Sequence, residues 1–174
     1  MLREGMLRCL EAKPLSKITV SDLCRESGIN RATFYNHYSA PVEILKELGR
    51  EYGSQLMTIY ASGYDRDGGD DRRALEAGLT YLAERKQELK VLFSEHAENF
   101  LAGVAMEIIN ERASENARTT DLDDRRDEYL LCAATSASAA FGFIQTWMTM
   151  GIERTPAELA GILKSIVQGN VFVA

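Results

Sequence analysis

Five side chains between Arg31 and Tyr38 can do recognition chemistry: Arg31, Thr33, Tyr35, Asn36 and His37 all carry groups that hydrogen-bond phosphate oxygens or base edges. Arg31 can bind a phosphate or bridge O6 and N7 of guanine, Asn36 can read adenine, and Thr33 offers a methyl to thymine or a hydroxyl to phosphate. One well-formed bidentate base contact discriminates by ~1–3 kcal/mol. Simple solvation is the alternative for each of the five. Nothing comparable points to catalysis. The chain has no glycine-rich phosphate loop, nucleophile-elbow serine or paired-cysteine motif. His96 has Glu95 and Glu98 nearby but no histidine or cysteine partner at metal-ligand spacing. The run from Asp65 to Glu76 imitates a calcium loop only in part, because its fifth position is glycine. The expectation is a non-enzyme without cofactor or metal.

Two short helices hinged at Gly28 must position those five residues. Thr19 is a capping residue, with Asp22 placed in the first turn where a carboxylate suits the helix dipole. Val20, Leu23 and Cys24 share one buried stripe. Gly28 can adopt the left-handed conformation that stops this helix, and Asn30 caps the next, expected over Arg31–Tyr38 with Phe34 and Tyr38 inward. Such a helix-turn-helix lays its second helix in the major groove.

The run from Ile18 to Leu45 resembles the DNA-binding domain of the tetracycline-repressor (TetR) family of bacterial transcriptional regulators. The resemblance lies in Ile18-Thr19-Val20, the Gly28-Ile29-Asn30 turn, the Thr33-Phe34-Tyr35 centre, Tyr38, and Glu43-Ile44-Leu45. It implies that Tyr35 and His37 contact the phosphate backbone and that Thr19 donates to phosphate, with Ser21 adjacent. The family's usual lysine just before that glutamate is Pro41 here.

Composition fits this expectation. Of the 174 residues, 45% are hydrophobic, enough for a core, and no apolar run reaches the ~20 residues that span a bilayer. Met1–Leu10 is broken by charges, so no signal peptide is visible. The three cysteines, Cys9, Cys24 and Cys132, are scattered and read as reduced thiols, consistent with a cytoplasmic protein. The net charge of −6 is uneven. Residues 1–50 hold eight basic against six acidic side chains, +2, and residues 51–174 hold 12 against 20, −8. A head of +2 is a weak electrostatic footprint, so useful affinity needs two heads on one palindromic operator.

Periodicity predicts an all-α protein: Leu2–Ala12, then the two short helices, then a long rod from about Pro41 to Ala61. Gly63–Asp71 and Arg118–Asp124 read as loops. Further helices are expected over Arg72–Glu84, Gln87–Ser94, about Glu95–Ala117, about Asp124–Met150 and Pro156 to about Gln168, with the apolar Val171–Ala174 tucked in. Residues 1–46 would form the helix-turn-helix domain and 47–174 a helical domain for effector binding and dimerisation. Small and apolar residues on the last two helices suggest an interface: Ala133, Ala137, Ala140, Phe141 and Ile144, with Leu159, Ile162, Leu163 and Ile166. In the resembled family these helices pair with their symmetry mates, and Thr155-Pro156 after the tryptophan-bearing helix matches a subset of it. A monomeric core is the alternative. Residues that interrupt apolar faces suggest an effector pocket: Tyr60, Phe93, His96, Phe100, Tyr129, Phe143 and Trp147. Ordinary core positions would explain them equally simply. The expected function is a homodimeric repressor released from DNA by a small molecule. The competing expectation is a partner-binding helical protein with a vestigial head.

Overall fold

The computed structural model describes residues 1–66, 71–97, 100–119 and 125–167. Among them there are helices and turns and no strand: α1 (Leu2–Ala12), a 3₁₀ turn (Leu15–Lys17), α2 (Val20–Ser27), α3 (Arg31–Tyr35), α4 (Pro41–Arg66), α5 (Asp71–Ala83), α6 (Lys86–Leu92), a second 3₁₀ turn (Glu95–Ala97), α7 (Phe100–Thr119), α8 (Arg126–Thr149) and α9 (Pro156–Val167). The all-α expectation holds. The expected tuck of Val171–Ala174 lies outside the described residues, as do Asp67 and Asp70 of the calcium-like run.

Three boundaries differ most from the sequence expectation. The third helix closes at Tyr35, three residues early. His37 and Tyr38 both donate their backbone N–H to the Phe34 carbonyl, at 3.0 Å, so the last turn tightens. Ser39 is then held by Glu43 through its backbone N–H and its hydroxyl, each at 2.6 Å, ahead of Pro41 at the start of α4. In contrast, α4 continues through much of the expected loop to Arg66. Its end lies tight on α5: a Cβ at Gly63 would come within 2.9 Å of Ala74 Cα. Finally, the expected helix over Glu95–Ala117 divides into the 3₁₀ turn and α7.

The head core is built from α1–α4. Met6, Leu10, Leu23, Phe34 and Leu45 are fully buried there. The 26-residue α4, ~39 Å at 1.5 Å per residue, leaves this core and runs between α5 and α7. Gly49 and Gly53, one turn apart, form a groove for Val104 and Ile108, also one turn apart on α7. A Cβ at Gly49 would lie 2.7 Å from Val104 Cγ1, and one at Gly53 2.8 Å from Ile108 Cδ1. Ridges and grooves at four-residue spacing on both helices mesh in this way. Beyond them, α5 packs on α9 and α7 on α8. No described helix is long and apolar enough to cross a membrane.

Candidate nucleic-acid interface and effector site

Local capping fixes the head's presenting elements. The Thr19 hydroxyl accepts from the Asp22 backbone N–H (3.2 Å), while the Asp22 carboxylate takes the Thr19 backbone N–H (2.9 Å) and hydroxyl (2.6 Å), a complete capping box. Lys13 Nζ lies 2.6 Å from the same carboxylate and Arg25 3.3 Å. The hydrogen bond from Lys13, then those from Thr19, hold Asp22 well below the usual carboxylate range. Gly28 ends α2 at φ 67°, where only glycine is unstrained. Asn30 Oδ1 then caps α3 by accepting from the Thr33 backbone N–H (2.8 Å) and hydroxyl (3.1 Å).

These bonds decide which of the seven sequence-predicted residues are free to reach out. Thr19 and Thr33 have spent their hydroxyl protons inside the chain, which leaves Thr33 its methyl and gives Thr19 a capping task. Ser21 and Arg31 are exposed and meet each other, Arg31 Nη2 donating to Ser21 Oγ, so the turn brings them together. Tyr35 is 58% exposed, its ring edge-on to Phe34 at 5.4 Å, and its hydroxyl has no partner among the described residues. Asn36 and His37 are exposed on the turn after α3 rather than on the helix. Tyr38 lies behind them: burial first, then its 2.7 Å bond to Glu47, pushes its hydroxyl up to about 12.

Ion pairing reshapes the charge expected of the head. Arg3 is held by Glu51 and Glu88, Arg8 by Glu26, Lys13 and Arg25 by Asp22, and Arg50 by Glu107. Lys17, Arg31 and Lys46 keep no carboxylate within ion-pair distance among the described residues. Lys17 was not evident as a site residue from sequence. It is exposed at the end of the first 3₁₀ turn, two residues before the cap of α2. Only the pairing of its neighbours, which sequence does not reveal, sets it apart.

In the body, the seven pocket candidates separate. Tyr60 sits on α4 with its hydroxyl on Asp71 Oδ1 at 2.5 Å, and Tyr129 is half-buried near the start of α8. Phe93, Phe100, Phe143 and Trp147 join the main core cluster, Phe93 lying 5.5 Å from Phe141. His96 Nδ1 lies 2.6 Å from the Leu10 carbonyl, binding the body to the end of α1. Lys86, absent from the sequence candidates, lies over the Trp147 ring, 5.6 Å from its centroid. Its place on α6, 61 positions from Trp147, gives no sequence signal.

The proposed interface residues also divide. Ala133, Ala137, Ala140 and Ile144 follow three- and four-residue steps that lead to the buried Trp147 and Met148, so with Phe141 they occupy the chain-facing side of α8 and are half-buried. Leu159 and Leu163 are fully packed inside the chain, whereas Ile162 is 39% exposed and Ile166 half-buried. The outward side of α8 carries Leu131 (68% exposed), Thr135, Gly142, Thr146 and Thr149, while the exposed Ser138 donates to Met106 Sδ of α7 at 3.4 Å. A Cβ on Gly142 or on Gly161 of α9 would meet nothing within 4 Å.

Comparison with known proteins agrees with this architecture. Residues 73–169, more than half of the chain, match the TetR-type family model described as "Transcriptional regulator C-terminal region". No curated protein is similar enough in sequence to match. Among solved structures, "Dihydroxyacetone kinase operon activator DhaS" superposes with a TM-score of 0.56 at 16% identity, over 98% of this chain and 93% of that one. The TetR family repressor AlkX from Dietzia sp. strain DQ12-45-1b gives 0.52 at 18% identity, over 98% and 97%. At those identities the likeness is one of fold, and the family match falls on the helices beyond the head. The chain belongs to the TetR family of transcriptional regulators.

Proposed function

We propose that this regulator is a cytoplasmic homodimeric repressor that grips a palindromic operator with two α2–α3 units and releases it when a small molecule occupies the body. The observation that carries the reading is the state of α8. From Tyr129 to Gln145 this apolar helix has no fully buried residue in a single chain, and its outward side is lined by small residues around the open Gly142. A second copy crossing there, together with Gly161 and Ile162 of α9, covers that surface. The half-buried Ala133, Ala137, Ala140, Phe141, Ile144 and Ile166 support this face from behind.

Residues 1–46 act as the DNA-binding head and 47–174 as the effector and dimerisation body, with the continuous α4 as the lever between them. Tyr35, Asn36, His37, Arg31 and Ser21 touch DNA, joined by Lys17, while Thr19 holds the start of α2. Both heads enter the groove only when their α3 helices stand about one helical turn apart, ~34–36 Å. A ligand that prefers another spacing weakens binding in proportion to that preference. The AlkX likeness accords with repression; the DhaS neighbour is described as an activator. The test is a gel shift with the DNA upstream of the chain's own gene at two salt concentrations, with sedimentation of the free protein. A dimer whose binding falls steeply with salt is expected. A monomer indifferent to that DNA at low salt overturns the proposal, and a reporter gene driven from that DNA must fall when the protein is expressed.

A further inference from the structure

The Trp147 side chain poses a problem that the core around it does not solve. It is 2% exposed, and its Nε1–H is shut off from solvent with no acceptor among the described residues. Such a donor is costly to leave unpaired, so its persistence asks for a partner that the described residues do not supply. Lys86 supplies the second half of the problem. It is half-buried, its ammonium lies over the indole, and no carboxylate pairs with it among the described residues. The acidic residues nearest in sequence are engaged elsewhere, Glu84 with Arg85 at 3.2 Å and Glu88 with Arg3 at 2.6 Å. One turn before Trp147, on the same side of α8, Phe143 offers a half-buried aromatic surface.

An orphan donor, one unneutralised ammonium and an adjoining apolar surface define a ligand chemistry. We propose that Trp147 and Lys86 form the anion-binding end of the effector site, and that the effector is a small organic carboxylate with an apolar body. One carboxylate oxygen accepts from Trp147 Nε1, Lys86 neutralises the charge, and the apolar part lies along Phe143. A neutral carbonyl would satisfy the indole but leave Lys86 unpaired, and a dianionic phosphate would bring more charge than one ammonium cancels. This rests on the effector part of the function proposed above.

Trp147 is the chain's one tryptophan, so the ¹⁵N-labelled full-length protein shows a single indole N–H resonance. Titration with sodium benzoate is expected to move that resonance saturably, and benzamide, its neutral counterpart, to bind about tenfold more weakly or worse. Lys86→Met and Lys86→Gln should weaken benzoate by a similar factor while leaving the melting temperature of the free protein unchanged. An indole resonance that ignores benzoate, or responds equally to benzamide, or equally in both Lys86 variants, overturns the assignment. A gel shift on the same samples separates the two readings. Binding to the upstream DNA with a silent indole removes only the carboxylate site. A responsive indole in a protein that ignores DNA removes the repressor and keeps the site.

Discussion

The five-residue α3 and the 24-residue α8 stand at opposite extremes of how a helix is held in place. The first is too short to persist alone. It is held by the Asn30 cap, by the buried Phe34 and by a left-handed glycine before it, and Arg31, Ala32 and Tyr35 stay exposed. The second is long and mostly apolar, yet only Trp147 and Met148 are buried within one chain. A capped helix on a small core can present polar groups without help. On the dimer proposed above, the open side of an apolar helix is covered by a second copy. Recognition and assembly are then separable, and substitutions can be aimed at either.

The largest effect is expected at the head core. Phe34→Ala should cost ~3–5 kcal/mol, as for other buried aromatic truncations, read as loss of the head's melting transition while circular dichroism retains the helices of the body. If the whole chain unfolds with it, the two regions are one cooperative unit. Next comes the outward side of α8. Gly142→Arg places a charged side chain in open space, so a single chain should fold normally but sediment as a monomer, with operator binding lost as a consequence. A stable Gly142→Arg dimer would move the interface elsewhere.

Tyr35→Ala should do the reverse, abolishing the gel shift while dimerisation and melting temperature stay the same, since surface changes of this kind stay within about 0.5 kcal/mol. The smallest effect concerns Asp22. Its carboxyl is held below its ordinary value, so the stability it contributes is complete above the unfolded-state value near 4 and disappears as pH falls through the lower folded-state value. Asp22→Asn should therefore melt lower than the parent at neutral pH, with the gap narrowing only under strongly acid conditions. A pH-independent gap would mean that the cap, not the charge, is what matters there.

Sequence made the head legible because its determinants are local. Thr19 with Asp22, Gly28, and Asn30 with Thr33 lie within three residues of their partners, and the bonds they form in the structure are those their spacing implies. The end of α3 was less legible: the tightening at Phe34 and the grip of Glu43 on Ser39 depend on how the chain enters α4. In the body the helices were readable from apolar periodicity, but their orientation was not. Periodicity finds the apolar side of α8 and cannot tell whether its own chain or a partner covers it. Hence Ala133, Ala137, Ala140 and Ile144 drew notice before Leu131, Thr135 and Gly142. Lys86 over the Trp147 ring, and His96 on the Leu10 carbonyl, depend on contacts across 61 and 86 positions that no local pattern encodes.

The meshing of Gly49 and Gly53 with Val104 and Ile108 restricts how a signal can travel. With methyl-bearing teeth lodged in hydrogen-sized notches, α4 cannot glide lengthwise past its neighbour without climbing over each tooth. Swinging about that seam, or carrying α7 along, remains open to it. The gearing also ties four positions into one heritable unit: a bulkier residue at 49 needs a trimmed one at 104, so Gly49→Ala should be rescued by Val104→Ala and by no change on the far side of the rod.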